Sequence, residues 1–228
     1  MSKRCLLYYI TDRTQFPGDE SARRHALLTK IAEAVACGVD YVQLREKDLT
    51  ARELETLVRE DVRLVKDALL KTGDRESETR LLINSRTDVA LAACADGVHL
   101  RSDDISVTDV RSIWAEALAR NSQLVARSPS IACSCHTQAE VLRAASEGAD
   151  FAVFAPVFEK SDQPETRPAG LDILREACKS RIPVLALGGV RLENATSCLE
   201  AGAAGIAGIR LFQENRIEEV VRALRGVR

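Results

Sequence analysis

Neither sign of charge prevails in this 228-residue chain: 32 Lys plus Arg stand against 34 Asp plus Glu, a formal net charge of −2 at pH 7. That balance argues against a broad electrostatic footprint for nucleic acid or anionic lipid and leaves room for a small local anion site. No apolar run approaches the ~18 residues of a membrane-spanning helix. The run near the start, Cys5-Leu6-Leu7-Tyr8-Tyr9-Ile10, gives way at once to Thr11-Asp12-Arg13. It is too short for the core of a signal peptide and reads as a buried strand. Closely paired cysteines are missing as well. The seven (Cys5, Cys37, Cys94, Cys133, Cys135, Cys178, Cys198) are scattered, and none has a partner at the two-residue gap of a zinc knuckle or thioredoxin-type site. Cys133-x-Cys135 alternates as a strand does, which puts both thiols on one face. Buried apolar thiols are the main reading there, and a metal or redox role the lesser one. An odd set of free thiols points to a reducing compartment, the cytoplasm. No linker rich in Pro, Gly or Ser divides the chain, and 46% hydrophobic residues suffice for one sizeable core. One domain over residues 1–228 is expected.

What the chain does have is an internal echo. Ala36-Cys37-Gly38-Val39-Asp40-Tyr41-Val42-Gln43-Leu44 leaves a helical pattern, turns tightly, and enters an apolar strand. The same grammar recurs at Ala93–Leu100, Glu147–Ala155 and Ala201–Ile209. Positions Asp40, Asp96, Asp150 and Ala204 are 56, 54 and 54 residues apart. A strand–helix unit takes about 25–30 residues, so each interval holds two. Intervening strands are expected at Leu6–Ile10, Leu81–Asn84, Ser130–Cys135 and Pro183–Leu187. Helices are expected at Ala22–Ala36, Ala51–Leu70, Thr137–Ser146, Leu171–Cys178, Leu192–Leu199 and Ile217–Leu224, where apolar residues recur at three and four. Eight alternating units predict an α/β fold, a single (β/α)8 TIM barrel. An open doubly wound sheet is the alternative, although no G-x-G-x-x-G follows the first strand. Lys71–Thr79 reads as a solvated connector at the bottom, and Glu159–Gly170 as a long polar loop on the catalytic face.

In such barrels chemistry sits at the C-terminal ends of the strands. Alternation after the second strand sends Gln43, Arg45 and Lys47 one way, a set suited to phosphate or diphosphate: a planar fork, a compact charge and an amide donor. Asn84 ends the third strand and either caps the next helix or faces a ligand. Asp103 and Asp104 follow the fourth strand, one of them holding Mg2+ against a phosphate or capping the helix that starts near Val107. Of three histidines, His25 and His99 read as structural, whereas His136 ends the fifth strand beside two hydroxyls. Gly188 and Gly189 after the seventh strand let backbone N–H groups approach a phosphate, helped by the following helix. Ile209-Arg210 follows the eighth.

Gln-Leu-Arg-Glu-Lys (43–47), Ile-Asn-x-Arg-x-Asp-Val-Ala (83–90), Ala-Asp-Gly-Val-His-Leu (95–100), Ser-x-His-Thr (134–137), Ala-Asp-Phe (149–151) with Pro-Val-Phe (156–158), and Leu-Gly-Gly-Val (187–190) together resemble the thiamine-phosphate synthase superfamily. The likeness runs in order from Tyr9 to about Phe212. It implies a transferase that joins hydroxymethylpyrimidine diphosphate to thiazole phosphate, releasing diphosphate with Mg2+. It also implies small phosphorylated substrates, no nucleic acid or membrane partner, and leaves a homo-oligomer open. By position, the resemblance gives Gln43, Arg45, Lys47, Asn84 and Ser134 to the pyrimidine diphosphate, Asp104 to Mg2+, and Gly188, Gly189, Ile209 and Arg210 to the thiazole phosphate. Four departures stand out. Ser85 replaces a metal-binding Asp, and Arg101-Ser102 replaces Gly-Gln. Asp162-Gln163 stands near an expected Thr-Lys, with Lys160 or Arg167 as the substitute cation. Arg210 replaces a Ser. The thiazole tautomerase of the same superfamily is the alternative, with His136 as its acid/base. A ligand-sensing barrel without turnover is a third reading.

Overall fold

The computed structural model describes residues 4–72, 79–120, 128–159 and 165–226, with 66–72 as backbone. Short, continuous apolar runs become strands covered on both faces: β1 (Leu6–Ile10), β2 (Tyr41–Leu44), β3 (Arg80–Asn84), β4 (Gly97–Leu100), β5 (Ser130–Cys135), β6 (Phe151–Phe154), β7 (Val184–Ala186) and β8 (Gly205–Gly208). All pair in parallel in chain order, and β8 returns to β1, so the sheet closes into the expected barrel. Around it run α1 (Glu20–Ala36), α2 (Ala51–Thr72), α3 (Thr87–Ala92), α4 (Val107–Arg120), α5 (Gln138–Glu147), α6 (Gly170–Ala177), α7 (Leu192–Glu200), α8 (Arg210–Gln213) and α9 (Ile217–Gly226). No helix among the described residues is long and apolar enough to cross a membrane.

Alternation along the strands makes two apolar layers. Leu7 and Tyr9 point out to the helices, while Tyr8 and Ile10 join Leu82, Ala132, Phe151, Val153, Leu185 and Ala207 inside the barrel. Within, the rings of Tyr8 and Phe151 meet edge to face at 5.4 Å, with Tyr41 packed on Phe151 at 4.7 Å. The barrel is therefore plugged with side chains below its mouth.

Three boundaries differ from the sequence reading. α3 and α8 are too short to show a helical period, and α2 extends through Lys71 and Thr72, which were expected in a connector. The rest of that connector, 73–78, lies outside the described residues. Neither Asp103 nor Asp104 caps α4. The Ser106 hydroxyl accepts from the Asp109 N–H at 3.1 Å, and Asp109 takes the hydroxyl proton in return at 2.7 Å.

The echo has a physical cause. Asp40, Asp96 and Asp150 each reach one strand back and accept a backbone N–H: Leu7 at 2.8 Å, Leu81 at 2.8 Å and Ile131 at 2.7 Å. Each carboxylate pins the bottom of one strand pair, and the fourth repeat does without it at Ala204. Asp40 also takes Arg4 and Arg225, both at 3.0 Å, and is 16% exposed. Charge-assisted bonds of this kind contribute about 1.5–3 kcal/mol. Asp40→Ala should therefore lower the unfolding free energy by about 2–3 kcal/mol in urea melts. A loss below about 0.5 kcal/mol would show that the pin is ornamental.

Candidate active site

The mouth of the barrel opens into a cavity of about 740 Å3. Gln43, Arg45 and Lys47 line it together, as alternation along β2 requires. Asn84 does not cap α3. Its Oδ1 accepts from Gln43 Nε2 at 2.8 Å, which ties the ends of β2 and β3 together. Arg45 is half-buried, and that burial lowers its guanidinium from the usual value while Asp12 and Glu46 pull it back.

Glu46, the residue between the two cations, points the other way and is buried. It accepts the Thr11 hydroxyl at 2.6 Å, the Arg13 N–H at 3.0 Å and Arg13 Nη1 at 3.1 Å. Arg13, itself 3% exposed, also forks onto both oxygens of Asp48 at 2.7 and 2.9 Å and reaches Glu20 at 2.8 Å. Thr11 closes the clamp by accepting the Arg45 N–H at 3.0 Å. The backbone that carries Arg45 and Lys47 is thus held from behind by a buried ion network. Asp61 on α2 lies fully buried nearby, and burial, reinforced by Glu46, pushes its carboxyl well above the usual value.

His99 is not merely a core residue, as its place inside a strand had suggested. Its Nε2 lies 2.7 Å from Ser134 Oγ, its Nδ1 lies 2.9 Å from the Tyr8 hydroxyl, and it lines the cavity with Ser134. Burial, then the Arg45 charge, pushes its imidazole down to about 3. The ring is neutral at physiological pH. His136 lines the same cavity from the end of β5, and its Nδ1 is 2.7 Å from the Ala155 carbonyl. A carbonyl only accepts, so Nδ1 carries a proton. His25 is exposed on α1, outside the cavity.

Across the cavity, Gly188 and Gly189 hold φ of 90° and 67°. A Cβ at Gly189 would come within 2.8 Å of Phe158 Cβ and would also strike the Glu159 backbone, so only glycine fits. α7 starts three residues later, at Leu192, so these glycines precede the helix rather than form its N-terminus. Ile209 and Arg210 line this side too.

Asp104 stands apart from this cavity. It lines a neighbouring pocket of about 170 Å3 between the β4–α4 loop and α5. One of its oxygens accepts the Arg101 N–H at 2.7 Å, the other Arg101 Nη2 at 3.3 Å. Ser134 lines both spaces. Ser85 has φ of 58° and bonds its N–H to the His99 carbonyl at 2.9 Å. Among the described residues no cluster of three or more His, Cys, Asp or Glu could hold a metal, the cysteines included. Lys160, Asp162 and Gln163 lie outside the described residues, and Arg167 is exposed.

The family model described as thiamine monophosphate synthase matches residues 7–212. A thiamine-phosphate synthase of Syntrophomonas wolfei is 34% identical over 97% of this chain and 95% of its own. One from Chloroflexus aurantiacus is 33% identical over 88% of this chain and 82% of its own. Among solved structures, thiamine phosphate pyrophosphorylase from Pyrococcus furiosus superposes with a TM-score of 0.75 and 27% identity, covering 97% of this chain and 94% of that one. Matched over nearly its whole length in sequence and in barrel architecture, the chain belongs to the thiamine monophosphate synthase family.

Proposed function

We propose that this chain catalyses the coupling its family is named for, joining hydroxymethylpyrimidine diphosphate to thiazole phosphate with release of diphosphate, a step of thiamine biosynthesis. One observation supports the assignment of roles: a single cavity is lined both by the Gln43, Arg45 and Lys47 set and by the Gly188-Gly189 and Ile209-Arg210 segments. Gln43, Arg45 and Lys47 suit a diphosphate on one side, and the Gly188-Gly189 and Ile209-Arg210 backbones suit a monophosphate on the other. A substrate spanning the gap would present its reacting carbon between them.

The chemistry follows from charge. The C–O bond to diphosphate breaks with both electrons leaving on oxygen, and the aminopyrimidine ring stabilises the cation left on its methylene. The thiazole nitrogen then donates its lone pair to that carbon, forming the C–N bond. Arg45 and Lys47 stabilise the departing charge, and Asn84, held by Gln43, keeps that side of the mouth in place. The two anion sites hold the partners close enough to react before water can. No proton changes hands in the coupling, so His136, which lines the cavity, serves here as a ligand contact. The relatives lend no support to the isomerase, for which it would be the acid/base, or to the ligand-sensing barrel.

Mg2+ fits this site as an ion carried mainly by substrate. It commonly takes one or two carboxylates plus phosphate oxygens, and Asp104, in the neighbouring pocket that meets this cavity at Ser134, would serve once released from Arg101. When bound, the ion would neutralise part of the diphosphate charge. Ser85 already sits in the left-handed region that Asp tolerates well. Ser85→Asp should therefore lower the Mg2+ concentration for half-maximal turnover several-fold, and Asp104→Asn should raise it about tenfold. A Mg2+ titration unchanged in both variants would remove Asp104 from the metal site. The function itself is tested by diphosphate release: it should require both substrates and match thiamine phosphate formed. Release from the pyrimidine diphosphate alone, or none at any Mg2+ concentration, contradicts it.

A further inference from the structure

Tyr8 and His99 lie below the mouth, and the coupling chemistry does not use either directly. We propose that they are positioning residues: the chain Tyr8–His99–Ser134 fixes the Ser134 hydroxyl as a hydrogen-bond donor aimed at the pyrimidine diphosphate. The inference rests on the reading of Ser134 as a contact to that substrate.

The direction of the chain follows from donor counting. Tyr8 is 0% exposed, hemmed in by Tyr41 at 5.9 Å and Phe151 at 5.4 Å, and among the described residues its hydroxyl has one partner, His99 Nδ1 at 2.9 Å. Burial keeps the phenol protonated, so it needs an acceptor. Nδ1 must then offer its lone pair, and in a neutral ring the proton sits on Nε2. Nε2 lies 2.7 Å from Ser134 Oγ, which therefore accepts. The serine proton is left over, and Ser134 lines the cavity, so that proton is available to a ligand oxygen or ring nitrogen there. A protonated imidazole would donate from both nitrogens and leave the Tyr8 hydroxyl facing another donor; burial beside Arg45 holds the ring neutral. Without the chain the serine hydroxyl could rotate to donate to His99 and would present only lone pairs, which repel an anion.

The first test reads the chain without any reaction: nitrogen-15 NMR of the histidine rings in the full-length protein at neutral pH. The expected result is His99 protonated on Nε2 and bare on Nδ1, with the preference lost in Tyr8→Phe. A proton on Nδ1 overturns the proposal. The second is a cycle of Tyr8→Phe and Ser134→Ala, read as calorimetric affinity for the pyrimidine diphosphate. Each single variant should bind about 10- to 50-fold more weakly, and the double variant no more weakly than Ser134→Ala alone. Should His99→Leu not fold, His99→Gln, which can still donate to Ser134, should retain most of the affinity. Losses that simply add in the Tyr8/Ser134 cycle overturn the positioning role, because Tyr8 would then act on the fold rather than through Ser134. Wild-type protein that binds the pyrimidine diphosphate with the expected tautomer yet forms no product defeats the synthase reading and leaves this inference standing.

Discussion

Replacing Arg45 and Lys47 together by alanine should abolish diphosphate binding and leave the barrel folded. Each cation makes a charge-assisted contact worth about 1.5–3 kcal/mol, so their joint removal weakens binding by roughly 100-fold to 10,000-fold. The folding cost is small for reasons visible in the site. Lys47 is exposed, and the Arg45 guanidinium already suffers from burial, as its lowered basicity shows. Neither substitution touches the Thr11–Glu46–Arg13 clamp, whose contact to residue 45 is made by the backbone N–H. Calorimetry with inorganic diphosphate measures the first effect, and urea melts should shift by less than about 1 kcal/mol. Unchanged affinity in the double variant would remove the basis for the anion site.

Arg13→Ala should instead fail in stability. It would leave Glu46, whose side chain is 1% exposed, as a buried carboxylate without its cation. Breaking a buried pair from one side costs about 3–5 kcal/mol. The Asp48 carboxylate, lowered from its usual value chiefly by its bond to Arg13, would lose that support too. Arg13→Lys should recover only part, since an ammonium cannot fork onto Asp48 while also reaching Glu46 and Glu20. The expected reading is a drop in the urea midpoint, partly offset by saturating diphosphate, which binds the folded state alone. A melt within about 1 kcal/mol of wild type would mean that the β2–α2 turn holds itself.

The barrel and the shared facing of Gln43, Arg45 and Lys47 were legible because they rest on periodicity. Strand alternation dictates that Gln43, Arg45 and Lys47 face one way, and the spacing of Asp40, Asp96 and Asp150 counts the units. The role of those aspartates was not legible, because a hydrogen bond one strand back depends on the closed sheet. His99 escaped for a similar reason. A lone histidine inside an apolar strand looks like core filling until register places it beside Ala132, two residues from Ser134, with Tyr8 across the barrel. Asn84 stayed undecided in sequence because capping and ligand binding use the same side chain; in the fold it caps nothing, and its amide is tied to Gln43 and Ser85. Asp104 is the opposite case: its residue type suits a metal, but its loop turns the carboxylate onto Arg101.

One cavity should hold two anions, with the diphosphate at β2 and the monophosphate at β7–β8. A crystal structure with hydroxymethylpyrimidine diphosphate, thiazole phosphate and Mg2+ tests it most directly. The expected result is the diphosphate on Arg45 and Lys47, the monophosphate against the backbone of Gly188, Gly189 and Ile209, and the methylene carbon facing the thiazole nitrogen between them. A diphosphate seated at Gly188-Gly189, with the Arg45 and Lys47 end holding neither substrate, would contradict it.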